Sequence, residues 1–401
     1  MTKRFPMVLA LGGVLFLGAP QVRAAESRQP TACAHLAVQV ERGPQGAVFL
    51  PSYPTAEPGP LRNTAFLYDN AVAVVALVGC GEKDKAARIG AAMLWALEHD
   101  RAWQDGRLRN AYAAGSVNES PVKLAGWWDK AQNRWLEDRY QVGSDTGNLA
   151  WAMLALLALD EPRFWEGAAW IGNWMAQTFD KKAPAGFTGG AFGHEPTPTM
   201  NTWKSTEHNT DLAAAFALLA ARSGESGWRD RADIARRFVD AMWSADCACF
   251  AAGTGNDGVT RNPTLALDAQ IWPLTALPGA AVKNAAAIAT ADKRLRVGDG
   301  FAYGEARSGV WTEGTAQAAL LLKLLGRTDE ARRLTAVIDS QRTPDGGFYA
   351  TSVSALPTSF GSETDPSQPR LYFKLPHLGA LAWAALAERG FNPFTATAKL
   401  P

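Results

Sequence analysis

From residue 63 onward the chain alternates between two kinds of helical segment. One kind is apolar on every side. It comprises Asn63–Gly79 (NTAFLYDNAVAVVALVG), Ser144–Leu159 (SDTGNLAWAMLALLAL), Asn201–Leu219 (NTWKSTEHNTDLAAAFALL), Thr264–Leu277 (TLALDAQIWPLTAL), Trp311–Leu325 (WTEGTAQAALLLKLL) and Leu375–Arg389 (LPHLGALAWAALAER). A helix that is apolar all round belongs in an interior. The other kind is amphipathic: Ala86–His99, Arg163–Phe179, Trp228–Trp243, Val282–Arg294 and Asp329–Gln341. Arg229–Val239 (RDRADIARRFV) carries its charges on one face, so that face meets water. Short turns join each apolar segment to the amphipathic one that follows, which predicts antiparallel helical hairpins. Longer Gly- and aromatic-rich connections lead into the apolar segments. Six buried helices and five amphipathic partners predict two concentric rings, with Ala32–Val40 as the missing outer helix. The hairpins recur every fifty to eighty residues, roughly, which is too irregular for a solenoid. No linker of disordered composition divides the chain, so residues 25–401 read as a single all-α domain.

The first 24 residues change the picture of where the chain works. Lys3 and Arg4 precede an apolar run from Pro6 to Gly18, and Val22-Arg23-Ala24 offers a small-x-Ala cleavage site. This reads as a secretory signal, with the mature protein periplasmic or secreted and not inserted in a membrane. Export permits disulfides among the four cysteines. Cys33 and Cys80 make a reasonable pair, whereas Cys247 and Cys249 bridge without strain only in a tight loop. The net charge of +1 argues against nucleic acid or an anionic membrane as partner. There is no zinc-type CxxC pair, phosphate loop, dinucleotide fingerprint or GxSxG elbow, so no metal or cofactor is expected.

The starts of the apolar helices carry the candidate chemistry. In order these are Tyr68-Asp69-Asn70, Ser144-Asp145-Thr146-Gly147-Asn148, Ser205-Thr206-Glu207-His208-Asn209-Thr210-Asp211, Asp268-Ala269-Gln270, Trp311-Thr312-Glu313-Gly314-Thr315 and Pro376-His377. Any one of them is ordinary helix punctuation, with Ser205 or Thr206 as an N-cap and acids in the first turn. Six in register are more than capping requires. In a parallel inner ring, Asp69, Asp145, Glu207, Asp211, Asp268 and Glu313 converge on one pit. Crowded carboxylates cannot all ionise, and one is then left protonated for acid catalysis. His208 and His377 are expected to contact substrate. Asn118, Arg139 and Tyr140 lie in the long loop before Ser144, where with a histidine they could build a lyase site; His194 lies in a separate loop, GGAFGHEP, and is a weaker candidate for substrate contact. Fifteen tryptophans are a heavy load: each reads first as a core residue, and the surplus as stacking platforms for flat ligands such as sugar rings.

The quoted starts, YDNA, SDTGN, STEHNTD, LDAQ, WTEGTAQ and PHLGA, together with the helix alternation, resemble the six-hairpin glycosidase superfamily. That resemblance implies an (α/α)6 toroid whose sugar-binding pit holds acids at the inner-helix starts. Carried over, it makes Glu207 the general acid and Asp145 the base that activates water. Asp69, Asp211, Asp268 and Glu313 then hold hydroxyls, with Tyr68, His208 and His377 beside them. Trp127, Trp128, Trp203 and Trp311 are the expected stacking faces for a poly- or oligosaccharide. An inverting pair is expected about 6.5–9.5 Å apart. Toroids of this shape also serve lyases and epimerases, and a non-catalytic saccharide-binding protein is a third reading. Gln341–Tyr349 (QRTPDGGFY) resembles the Gln-Gly-aromatic element of triterpene-cyclase toroids, without their acid motif.

Overall fold

The computed structural model describes residues 31–361 and 367–401, so the expected signal segment lies outside the described residues. The fold is helical, with short paired strands between the helices. In chain order the helices are α1 (Ala32–Arg42), α2 (Leu67–Gly79), α3 (Lys83–Glu98), α4 (Thr146–Ala158), α5 (Pro162–Met175), α6 (Thr206–Ser223) and α7 (Ser226–Met242). They continue with α8 (Leu267–Ala276), α9 (Ala280–Lys283), α10 (Ala286–Leu295), α11 (Thr312–Leu324), α12 (Thr328–Asp339) and α13 (Leu378–Arg389). The observed helices start a few residues inside the apolar segments wherever polar residues serve as caps. Ser205 caps α6 by accepting from the His208 N–H at 3.3 Å, and Gly224 ends that helix with φ of 76°. The stretch expected as one outer helix over Val282–Arg294 is instead broken into α9 and α10 at Asn284.

Burial separates the two kinds of helix as their residue patterns require. All ten residues of α8 are buried, as is the run Leu378–Ala387 of α13. On α7 only Trp228, Ala232, Ala235, Phe238, Val239 and Met242 are buried, which is one face at helical spacing. The six apolar helices pack in a closed cycle: α2 on α4, α4 on α6, α6 on α8, α8 on α11, α11 on α13, and α13 back on α2. Outside them, α3 packs on α2, α5 on α4, α7 on α6, α10 on α8 and α12 on α11. The N-terminal α1 packs on α13 and completes the outer set, as the sequence predicts. A Cys33–Cys80 disulfide ties α1 to the end of α2. Cys247 and Cys249 also bond to each other, around Ala248 at φ 50°, so the tight loop they need is present. No described helix is long and apolar enough to cross a membrane.

At the centre of the cycle three indoles pack together, one from every second inner helix. Trp151, Trp272 and Trp383 have ring centroids 5.3–6.0 Å apart, and Phe394 from the C-terminal segment closes against Trp151 and Trp272. This aromatic plug fills the lumen and gives the site above it a floor.

Candidate active site

Polar residues at the inner-helix starts serve two separate tasks. The first is structural and repeats around the ring. Asn70 accepts from the Leu50 N–H and donates to the carbonyls of Leu50 and Phe66. Asn209 treats Phe187 and Ser205 in the same way, and Gln270 does so with Phe250 and Ala266. On α11 the hydroxyl of Thr315 takes the place of the amide, holding Phe301 and Trp311. Each clamp fixes an incoming segment to the helix and satisfies backbone groups that burial would otherwise leave unpaired. Their clamping role was not legible in the sequence, because the segments they hold lie 14–22 positions upstream.

The second task falls to the acids, which point into the ring. Glu207, Asp268 and Glu313 each stand two positions before a clamp, and Asp69 stands one before. Asp69, Asp145, Asp211, Asp268 and Glu313 are buried, while Glu207 and His208 are partly exposed. Their mutual electrostatic influence links them into one cluster. Glu207 is acted on by Asp268, Asp211 and Asp145, and Glu313 by His377, Asp69 and Asp268. The expected convergence of helix starts is therefore present.

Each member has its own setting. Burial, reinforced by Asp268, Asp211 and Asp145 and opposed by Arg370, raises the Glu207 carboxyl well above the usual range. Burial and Asp268 do the same to Asp211, whose two carboxyl oxygens are buried without a hydrogen-bond partner. Asp268 is pushed up by burial only to about 6, opposed first by the Ala269 N–H, which donates to its Oδ1 at 2.7 Å. Glu313 rises to about 7, mainly through burial; His377 and a 2.5 Å hydrogen bond from the Tyr68 hydroxyl oppose the rise. That hydroxyl in turn accepts from the Trp383 indole at 2.8 Å, so the aromatic floor and the acid wall share one network.

The two histidines have opposite settings. His377 donates from Nε2 toward Asp69 at 3.2 Å while its Nδ1 accepts from the Ala380 N–H. Burial opposes its charge, but Asp69 and Glu313 prevail and raise its pKa. His208 places Nδ1 2.9 Å from Thr146 Oγ1 and 3.3 Å from Asp145 Oδ1. Thr146 spends its own proton on the Thr188 carbonyl, so Nδ1 carries the hydrogen and Nε2 the lone pair. Burial and Arg370 depress His208 to about 3, leaving it neutral. Its ring lies against Gly147, where a Cβ would come within 2.5 Å of Cδ2.

The expected aromatic faces divide. Trp203 meets His208 with ring centroids 5.4 Å apart, and Trp128 is 54% exposed on a strand hairpin beside Trp127. Trp311 is 2% exposed and packs under Tyr303 and Tyr372, so it is a core residue and not an exposed stacking face. His194 and Asn118 are exposed, and Arg139 stacks over Phe192. The sequence reading missed Tyr303 and the strand hairpin Ala355–Gly361 with Pro369–Phe373. Tyr372 on this hairpin packs against Tyr303, Trp311 and His377 and roofs part of the cluster, where an open bowl was expected. Arg370, on the same strand, stacks over Tyr140 at 4.8 Å. The hairpin gives no helical period and no catalytic motif, so its sequence carried little signal. Gln341–Tyr349 forms a turn whose Phe348 carbonyl accepts from the His377 N–H, which anchors the start of α13. No cluster of described His, Cys, Asp and Glu residues has the geometry to hold a metal ion.

No protein-family model and no curated protein matches the chain. Solved structures do. A glycosidase aligns over 90% of this chain and 96% of its own length, with a TM-score of 0.61 and 16% identity. A D-mannose isomerase aligns over 90% and 95%, with a TM-score of 0.59 and 11% identity. An α-mannanase of glycoside hydrolase family 76 from Bacteroides thetaiotaomicron aligns over 89% and 94%, with a TM-score of 0.56 and 9% identity. Such distant likeness speaks for architecture alone, and it agrees with the cycle of buried helices. This chain shares with these structures its fold, a closed cycle of six buried helices with an outer set packed around them.

Proposed function

We propose that this chain is an exported glycoside hydrolase, built as a single (α/α)6 toroid and acting on an uncharged poly- or oligosaccharide. One observation carries the reading. Glu207, a carboxyl group raised well above the usual range by burial and its acidic neighbours, stands partly exposed among a ring of acids over an aromatic floor. Similar solved structures include glycosidases, one of them in complex with glucose. The secretory pattern at the N-terminus and two disulfides support a periplasmic or secreted location.

In this reading Glu207 gives its proton to the glycosidic oxygen as the bond to the anomeric carbon breaks. Asp145, beside neutral His208, takes a proton from the water that attacks that carbon. The two steps leave a reducing sugar of inverted configuration. Glu313, Asp69 and His377 hold hydroxyl groups of the same ring, and Trp203, Trp127 and Trp128 stack on the chain beyond it. The test is incubation of the mature protein with a panel of neutral oligosaccharides, following reducing ends and the anomer first formed. Turnover with inversion, lost at least a hundredfold in Glu207→Gln, supports the reading. A Glu207→Gln variant with full activity removes Glu207 from the role.

One observation favours a second reading, a sugar isomerase or epimerase. His208 offers an unprotonated Nε2 within the cluster, and solved neighbours include a mannose isomerase and a sugar epimerase. Exchange of a sugar C–H for deuterium without release of a glycosidic fragment distinguishes it.

A further inference from the structure

We propose that Thr146 is a positioning residue that makes His208 a hydrogen-bond acceptor for one hydroxyl group of the ligand. The proposal rests on the hydrolase reading for the identity of the ligand, but not for the state of the imidazole. The peptide unit between Thr188 and Gly189 sets that state. Its N–H donates to the Trp203 carbonyl at 2.9 Å. The N–H and C=O of a trans peptide point opposite ways, so the Thr188 carbonyl is turned toward Thr146 and accepts from its hydroxyl at 2.8 Å. A carbonyl only accepts, so the single hydrogen of the Thr146 hydroxyl is committed there. Its Oγ1 is left to accept from His208 Nδ1 at 2.9 Å. Asp145 Oδ1, 3.3 Å from the same nitrogen, favours a hydrogen at that position as well.

Nε2 then carries a lone pair. Among the described residues no protein donor meets it, and the side chain keeps 12% of its surface accessible. The ring is held in place. The Trp203 indole stands at 60° to it with centroids 5.4 Å apart, and a Cβ on Gly147 would come within 2.7 Å of Nε2. Gly189 in turn makes room for Trp203, since a Cβ there would collide with the indole. An acceptor fixed beside a partly exposed indole suits a sugar ring, whose C–H surface stacks while a hydroxyl at its rim donates. The carboxyl groups nearby accept when ionised and donate when protonated, whereas Nε2 in this tautomer only accepts. The site therefore selects a hydroxyl at this point over a fluorine or an ether oxygen of similar size.

The test begins without substrate. The mature chain is labelled with nitrogen-15 at its five histidines, and the signals lost in His208→Gln are those of His208. In the wild type, Nδ1 is expected to show the shift of a nitrogen bearing hydrogen and Nε2 that of a bare one, the reverse of the tautomer free histidine prefers. Thr146→Ser keeps the hydroxyl and is expected to keep this pattern. Thr146→Val removes the hydroxyl but retains the bond from the residue 146 N–H to the Gly189 carbonyl, and is expected to let hydrogen appear on Nε2. On the neutral oligosaccharide turned over fastest, Thr146→Val is expected to lower kcat/KM about tenfold, the worth of one hydrogen bond, and Thr146→Ser to restore it. Adding that oligosaccharide to the wild type is expected to shift the Nε2 signal, and one of its singly fluorinated deoxy derivatives to leave it unmoved. A wild-type Nε2 that bears hydrogen overturns the proposal. So does an unchanged tautomer in Thr146→Val, or an Nε2 signal unmoved by an oligosaccharide that the chain turns over. A panel in which nothing is turned over removes the sugar from the proposal together with the hydrolase reading, whereas the tautomer of the unliganded chain decides the part of Thr146 by itself.

Discussion

Asn209 and Glu207 are two positions apart on α6, and they serve opposite ends. Asn209 is fully buried and makes three hydrogen bonds to backbone groups of Phe187 and Ser205. Asn209→Ala leaves those groups unpaired in the interior, so chemical denaturation is expected to show a loss of about 2–4 kcal/mol. Glu207→Gln is expected to leave stability nearly unchanged and to abolish turnover. Glu313 shows how the site costs stability. Its carboxyl titrates near 7 in the folded chain against 4.5 in a free one, so the folded state holds the proton more tightly. Stability therefore falls as pH rises from 4.5 through 7 and is fully diminished above that. Glu313→Gln is expected to raise the melting temperature at pH 8 by more than at pH 5. Equal effects at both pH values would contradict that setting of Glu313. The sequence displayed all these polar residues but not their division, since the backbone groups that the clamps hold come from segments 14–22 positions upstream.

Among the elements, α1 and the long loop before α4 hold the ring in register. The Cys33–Cys80 bond spans 47 positions and fastens α1 to α2, whereas Cys247–Cys249 spans two. The chain-entropy estimate gives roughly 4 kcal/mol for the first and less than half of that for the second. Replacing Cys33 and Cys80 by serine is expected to lower the unfolding midpoint far more than replacing Cys247 and Cys249. The loop is pinned by Arg109, which is buried with Asp100 at 2.6 Å and reaches Glu195 at 2.8 Å; Arg101 also binds Glu195. Burial alone would raise Glu195, but its two arginines hold it at about 2. Its contribution, at most about 3 kcal/mol, is thus complete above pH 4.5 and lost as the pH falls toward 2. Glu195→Gln is expected to flatten the acid limb of the stability curve. The same loop delivers Asn110, whose side chain accepts from the Asp145 N–H at 2.7 Å, so acid release of this anchor also loosens Asp145. Helix identity and pairing were legible here because burial imposes a 3.6-residue rhythm. The loop's ion pairs join residues up to 94 positions apart and were not.

For the whole molecule, the order of helices and the role of α1 could be read from the chain, because six apolar helices have few ways to hide together. What covers the site could not. The roofing hairpin and Tyr303 owe their place to long-range packing, and Trp311 was drawn into the core beneath them. The account as a whole requires a sugar ring to sit where the six helix starts meet. A crystal structure of Glu207→Gln soaked with a neutral oligosaccharide tests this most directly. The expected result is a ring resting over Tyr68 and Trp383, its hydroxyl groups on Glu313 and Asp69 and its glycosidic oxygen beside residue 207. A saccharide bound elsewhere on the molecule, with that space occupied only by protein side chains and water, would contradict it.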